Sequence, residues 1–209
     1  MAMKTALRAL TLLLAYASFS THSVNAQARR LASPDGYSAT EVAGHYDERE
    51  GYVEGKWLEI RYGRPIKRSR NLFDLPDWRE ALMDGAEVWR AGANVTTRLS
   101  IETPLLFAGT KVNPGEYTVF IDFRQQPWQF VLSTWTAQLR YDYENKEALW
   151  GAYEYTADKD AVRAEMQVEN LDHSFDQLSW QFVDVNTEGG KLMLLWDKIQ
   201  ATVDFKISD

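Results

Sequence analysis

Three arginines and one amide carry the most specific chemistry in this chain: Arg64, Arg70, Arg90 and Asn94. A guanidinium group presents its N–H donors as a planar fork that matches a carboxylate or a phosphate, so several of them near strand ends suit an anionic or polar ligand. The same residues also have a structural reading, in which Arg90 pairs with Asp122 or Asp160 and Asn94 closes a turn through its side chain. A second group is aromatic: Trp135, Tyr141, Tyr143, Trp150, Tyr153 and Tyr155 all lie between Thr134 and Thr156. Rings with polar rims suit stacking on a sugar or a peptide. Rings in strands more often fill the space between sheets. Trp150 reads as core, whereas Trp135 and Tyr141 stay open to either role. With Trp89 beside Arg90, the candidate ligand-binding residues are Arg64, Arg70, Trp89, Arg90, Asn94, Trp135 and Tyr141.

Hydrolytic chemistry has less behind it. His45 and His173 stand among acids, with neither a Gly-x-Ser-x-Gly turn nor any cysteine to serve as nucleophile. The nearest approach to a metal-ligand cluster is His45 with Asp47 and Glu48, yet Asp47-Glu48-Arg49-Glu50-Gly51 reads more simply as a solvated turn. No metal or other cofactor is expected. Paired carboxylates for glycoside cleavage, such as Asp122 and Asp160, remain an alternative, because 30 acids always offer pairs and only the fold sets their separation.

The elements that position these residues begin after an address signal. Lys4 and Arg8 precede an apolar run from Ala9 to Ala17 and a polar stretch ending in Val24-Asn25-Ala26, the three-part pattern of a secretory leader. Cleavage is expected after Ala26, with Ala28 as the alternative, and the run is too short to remain as a membrane anchor. The expected location is a periplasm or the exterior. No cysteine is present, so packing rather than disulfides must hold the fold. Loss of Lys4 and Arg8 takes the formal charge from −7 to −9, which disfavours nucleic acid and anionic lipid as partners. A small molecule, a glycan or a protein remains as the candidate partner.

Residues 27–36 read as a flexible polar lead and 37–209 as a single domain; the chain's 8 Trp, 10 Tyr and 9 Phe, all but Tyr16 and Phe19 within that domain, supply a heavy core. Lys56 to Tyr62 alternates, with Leu58, Ile60 and Tyr62 on one face and Trp57, Glu59 and Arg61 on the other. Gly63-Arg64-Pro65 breaks that strand, and Lys67, Arg68 and Arg70 follow in what reads as an exposed loop. Asp77 to Met83 suits one short helix, ended by Gly85. Thr97, Leu99 and Ile101 oppose Arg98, Ser100 and Glu102, and Asn113-Pro114-Gly115 turns into a strand from Tyr117 to Phe123, which together predict an antiparallel hairpin. Further alternation runs through Trp128, Phe130 and Leu132, through Val162 to Val168, through Leu178 to Phe182, through Leu192 to Trp196, and through Ala201 to Ile207. The expectation is an all-β chain of about nine mostly antiparallel strands, a β-sandwich or a flattened barrel, with one short helix.

The order of motifs adds a resemblance. Tyr62-Gly63-Arg64-Pro65 with Arg70 and Phe73, then Val88-Trp89-Arg90-Ala91-Gly92-Ala93-Asn94, then Gly115-Glu116-Tyr117, then Trp150-Gly151 with Tyr155, Asp160 and Arg163, resemble the bacterial domain-of-unknown-function family 2911. Met83-Asp84-Gly85 stands where that family usually has Pro-Tyr-Gly, and the segment from Ser133 to Trp150 is lengthened. The resemblance implies an extracytoplasmic β-rich domain and no known activity, so it transfers no catalytic residue. The expected function is a non-enzymatic binding module acting through the Trp-Arg-x-Gly-Ala-Asn end and its neighbouring rings. The alternatives are a hydrolase using paired carboxylates and an envelope component that offers an edge strand to a partner.

Overall fold

Period-two alternation of apolar and polar residues puts every second side chain on one face of a strand, and two such faces bury each other. The computed structural model describes residues 31–208; the expected leader lies outside the described residues. In chain order the first elements are β1 (Asp35–Val42), β2 (His45–Asp47), β3 (Gly51–Val53), β4 (Lys56–Gly63), the short helix α1 (Trp78–Met83), β5 (Thr97–Ile101), β6 (Leu105–Phe107) and β7 (Thr110–Val112). There follow β8 (Gly115–Asp122), β9 (Gln129–Ser133), β10 (Thr136–Ala137), β11 (Ala148–Leu149), β12 (Asp160–Glu165), β13 (Gln167–Val183) and β14 (Gly189–Ile207). A six-stranded sheet has the order β1-β4-β5-β8-β9-β12 and a four-stranded sheet the order β13-β14-β6-β7, antiparallel throughout. The result is a β-sandwich. Neither sheet closes on itself, so the flattened barrel is not realised.

The inner faces meet through Leu58, Ile60, Leu99, Val119, Ile121 and Phe130 of the larger sheet and Phe107, Trp180, Leu194 and Phe205 of the smaller. Phe130 touches Phe107 at 5.5 Å and Trp180 at 6.4 Å between ring centroids. Helix α1 turns Trp78 into this core, edge-on to Phe73 and Phe123, and ends at Asp84 in the left-handed region before Gly85.

Three expectations change. The hairpin of β5 and β8 pairs in antiparallel register, but its connection is not a turn: after Ile101 the chain crosses to the other sheet, forms β6 and β7, and only then returns through Asn113-Pro114-Gly115. Ala108 and Gly109, at φ 49° and 82°, make the tight turn between β6 and β7. Secondly, the run from Val162 to Val168 is two strands, because the chain leaves the larger sheet at Met166; Val168 is 37% exposed rather than inward. Thirdly, the last two expected strands are one, β14. Its positions in the core between the sheets are even-numbered at Leu192, Leu194 and Trp196, then odd-numbered from Ile199 to Phe205. The switch occurs at Asp197, whose φ is 52°, where the ladder with β13 is irregular.

Asp197 also revises the basic run. Its buried carboxylate accepts hydrogen bonds from Lys67 Nζ at 2.6 Å, Ser174 Oγ at 2.9 Å and the Leu72 N–H at 3.0 Å. Arg68 and Arg70 are exposed as expected, but the Lys67 side chain is only 12% exposed and anchors its loop to the bulge of β14.

Candidate functional site

The Trp-Arg-x-Gly-Ala-Asn segment begins on the larger sheet, bridged to β8 just past the end of β5, and meets the smaller sheet through Trp180. Trp89 exchanges both main-chain hydrogen bonds with Ile121 of β8, is 2% exposed, and stacks on Phe123 and Trp196 at 5.5 and 6.0 Å. The Ala91 carbonyl accepts from Trp180 Nε1 and Thr97 Oγ1. Gly63 passes so close to the Ala93 carbonyl that a Cβ there would collide with main chain, which accounts for the glycine. Asn94, at φ 63°, donates from Nδ2 to the Ser33 carbonyl. Arg90 runs against Gly151, and its Nε is buried without a hydrogen-bond partner. Arg64 donates to the Leu178 carbonyl and Ser179 Oγ, and Arg70 to the carbonyls of Ile66 and Lys67. Arg64 and Arg70 therefore serve separate partners, and neither shares one with Arg90.

Arg90 is not the partner of Asp122 or Asp160. Asp122, wholly buried, accepts from Arg124 Nε at 3.0 Å and Nη2 at 2.9 Å and from Arg163 Nη1 at 3.0 Å. Arg163 also donates to Asp160 at 2.8 Å and to the Tyr155 hydroxyl at 2.8 Å, while Tyr155 donates to Asp160 at 2.7 Å. Burial works against the Asp122 charge, but the Arg124 side chain and N–H and the Arg163 guanidinium outweigh it and hold the carboxyl below its ordinary value. Burial, then the bond to Asp160, raises the Tyr155 hydroxyl well above its ordinary value. A general acid needs a raised carboxyl and access to substrate. Asp122 has neither.

This network sits under a cover. The outward side chains of β8 and β9, Phe120 and Val131, pack against Leu149, Ala152 and Tyr155 of the segment between β9 and β12, which is an ordered loop carrying the short parallel pair β10 and β11. Gln138, 7% exposed, locks that loop by donating to the carbonyls of Asp142, Asn145 and Ala148 and accepting from the Asp142 N–H. Trp135 is pinned by its Nε1 bond to the Thr156 carbonyl and by Lys159 over its ring at 3.5 Å. Tyr141, 61% exposed, stands at the crest with its ring edge against Trp150.

The cover packs on β8 and β9 and beyond them reaches only Leu139 to the rim of a hollow beside Arg98, so the outward face of β1, β4 and β5 is otherwise open. Cross-strand register sorts its side chains into rows. Tyr37, Arg61 and Arg98 stand abreast, continuing into Thr118 and Ser133 beneath the cover. Beside them run Ala39, Glu59, Ser100 and Glu116. Beyond these come Glu41, Trp57 and Glu102, the last accepting the Trp57 N–H at 2.8 Å. A row of donors thus lies beside a row of acceptors. The Tyr37 hydroxyl donates to Glu59 at 2.6 Å, and Arg61 bonds the other Glu59 oxygen at 3.2 Å while covering the Tyr37 ring. The Tyr37 bond is the main cause that holds the Glu59 carboxyl below its ordinary value, so Glu59 stays an acceptor. Two hollows share Tyr37: one of about 330 Å³ with Arg61, Val95, Arg98 and Leu139 among its walls, and one of about 230 Å³ with Trp57, Glu59, Ser100 and Glu102.

Tyr37, Trp57, Arg61 and Arg98 were not among the residues singled out by motif. The available signal was the outward set of two alternating strands, which carries rings and charges where short polar residues would serve solubility equally well. Among the described residues no cluster of His, Asp and Glu suited to a metal forms, and no helix is long and apolar enough to cross a membrane. A family model described as a protein of unknown function, DUF2911, matches residues 46–205. No curated protein and no solved structure matches the chain.

Proposed function

The chain belongs to the DUF2911 family of proteins of unknown function, and we propose that it is a non-enzymatic module that binds a polyhydroxylated ligand, a glycan, on the open half of its six-stranded sheet. The observation that carries this reading is the adjacency of the Arg61–Arg98 row to the Glu59–Glu116 row, flanked by the rings of Tyr37 and Trp57. Each sugar hydroxyl both donates and accepts, so neighbouring hydroxyls are matched by a guanidinium beside a carboxylate, and the C–H face of the sugar ring lies on an aromatic ring. Strands hold these side chains more rigidly than a loop would. The burial of Asp122 and its pairing with Arg124 and Arg163 weigh against the paired-carboxylate hydrolase.

Trp57, 45% exposed, makes the test selective. Titration calorimetry against a panel of neutral and acidic oligosaccharides is expected to find a ligand for the wild type, and Trp57→Ala to weaken it about ten-fold while the melting curve stays unchanged. A wild type that binds no member of the panel removes the reading.

The module works outside the cytoplasm in this proposal, which rests on the leader pattern of residues 1–26. Expression in a bacterial host is expected to give an exported protein whose N-terminal peptide, read by mass spectrometry, begins at Gln27. Recovery of the full-length chain from the cytoplasm alone would contradict it.

A further inference from the structure

Arg61 and Arg98 are directly opposed on adjacent strands, in the register where like charges destabilise a sheet. Neither is neutralised from the space between them. Glu59 reaches Arg61 at 3.2 Å from the neighbouring row, and Glu116 reaches only Arg98 Nη1, at 3.4 Å. The Arg98 side chain is 20% exposed, and its Nε is buried without a hydrogen-bond partner. A buried donor left unmade, as at Arg98, is costly, and a second guanidinium directly across from it adds a like-charge pair that an anion would relieve. In a chain of net charge −7, the larger hollow is lined by two arginines and a single acid, Asp35, which comes from β1. Val95 and Leu139 give that hollow an apolar wall.

We infer that the larger hollow takes the carboxylate of an acidic sugar, a uronate unit, between Arg61 and Arg98. This inference rests on the glycan-binding reading and names the ligand class of the same face. A carboxylate is planar with two acceptor oxygens, so it can receive one N–H from each guanidinium, while the sugar ring extends toward Tyr37 and the carboxylates of the next row meet its hydroxyls. Glu59 and Glu116 are already engaged by Tyr37, Arg61, Arg98 and Ser100, which moderates their repulsion of the incoming charge.

The test compares tetramers of galacturonate, glucuronate and mannuronate, each with its own methyl ester, which keeps the sugar and removes the charge. Titration calorimetry of the full mature chain at low salt is expected to show at least one acid binding about ten-fold more tightly than its ester, with the difference shrinking as salt rises. Arg98→Gln is expected to abolish that preference. Arg61→Gln, at a side chain that is 53% exposed, serves as the second variant if Arg98→Gln fails to fold. Acid and ester binding equally, or a preference that survives both substitutions, overturns the inference and leaves the glycan reading standing. Binding of neutral sugars alone has the same consequence. Failure of every neutral and acidic sugar removes both.

Discussion

Asp197→Ala is expected to lower the free energy of unfolding by about 3–5 kcal/mol, because it leaves the ammonium of Lys67 buried without its counter-charge. The Asp197 residue is 5% exposed and the Lys67 side chain 12%. The same substitution removes the acceptor for the Leu72 N–H and the Ser174 hydroxyl. Burial opposes the Asp197 charge, yet the bonds from Lys67, Leu72 and Ser174 outweigh it and hold the carboxyl below its ordinary value. A carboxyl lowered by folding contributes stability above its unfolded pKa, about 3.9, and loses it as pH falls through the lower folded value. Urea denaturation should therefore show the gap between wild type and variant at pH 7 narrowing below about pH 4. The double variant Asp197→Leu with Lys67→Met should recover part of the loss, since it leaves no unpaired charge. Equal urea midpoints for wild type and Asp197→Ala would refute the pairing.

Trp89→Ala is the second large effect. The side chain is 2% exposed and stacked against Phe123 and Trp196, so its removal opens a cavity between the end of β8 and β14. A loss of about 3–5 kcal/mol is expected for a buried tryptophan truncated in this way. The sequence placed Trp89 among ligand-binding candidates; the structure places it in the core. Those roles separate cleanly by experiment. The urea midpoint should fall, while the affinity of the folded fraction for any ligand of the open face should stay at the wild-type value. A variant of unchanged stability that no longer binds would restore Trp89 to the site.

Local alternation made much of the fold legible. The inward and outward faces of β4 and β5 follow directly from Leu58, Ile60, Leu99 and Ile101 opposing Trp57, Glu59, Arg61, Arg98 and Ser100. Where alternation misled, a single residue changed the chain's course. Met166 carries the chain from one sheet to the other without interrupting the apolar pattern, and Asp197 reverses the parity of β14 by taking a left-handed conformation. A period-two pattern records which residues face inward; it does not record which sheet they face inward from.

Residue chemistry was legible as an inventory and not as an assignment. The sequence offered Arg90 to Asp122 and Asp160, and the fold gave those acids to Arg124, Arg163 and Tyr155. It marked the Thr134 to Thr156 segment as aromatic, and the fold divided those rings, burying Tyr155 and leaving Tyr141, Tyr143 and Tyr153 exposed.

By itself the amino-acid sequence determined an all-β chain, one short helix over Asp77 to Met83, and the inner and outer faces of β4 and β5, because these depend on neighbours within a few residues, and it determined the family through the order of its motifs. Only the tertiary structure decided that the Trp-Arg-x-Gly-Ala-Asn segment holds the sheets together, that Lys67 is buried on Asp197, and that Arg61 faces Arg98 on an uncovered sheet face. Each of those facts joins residues far apart in the chain, and their meeting is set by strand register and by which half of a sheet a distant loop happens to cover.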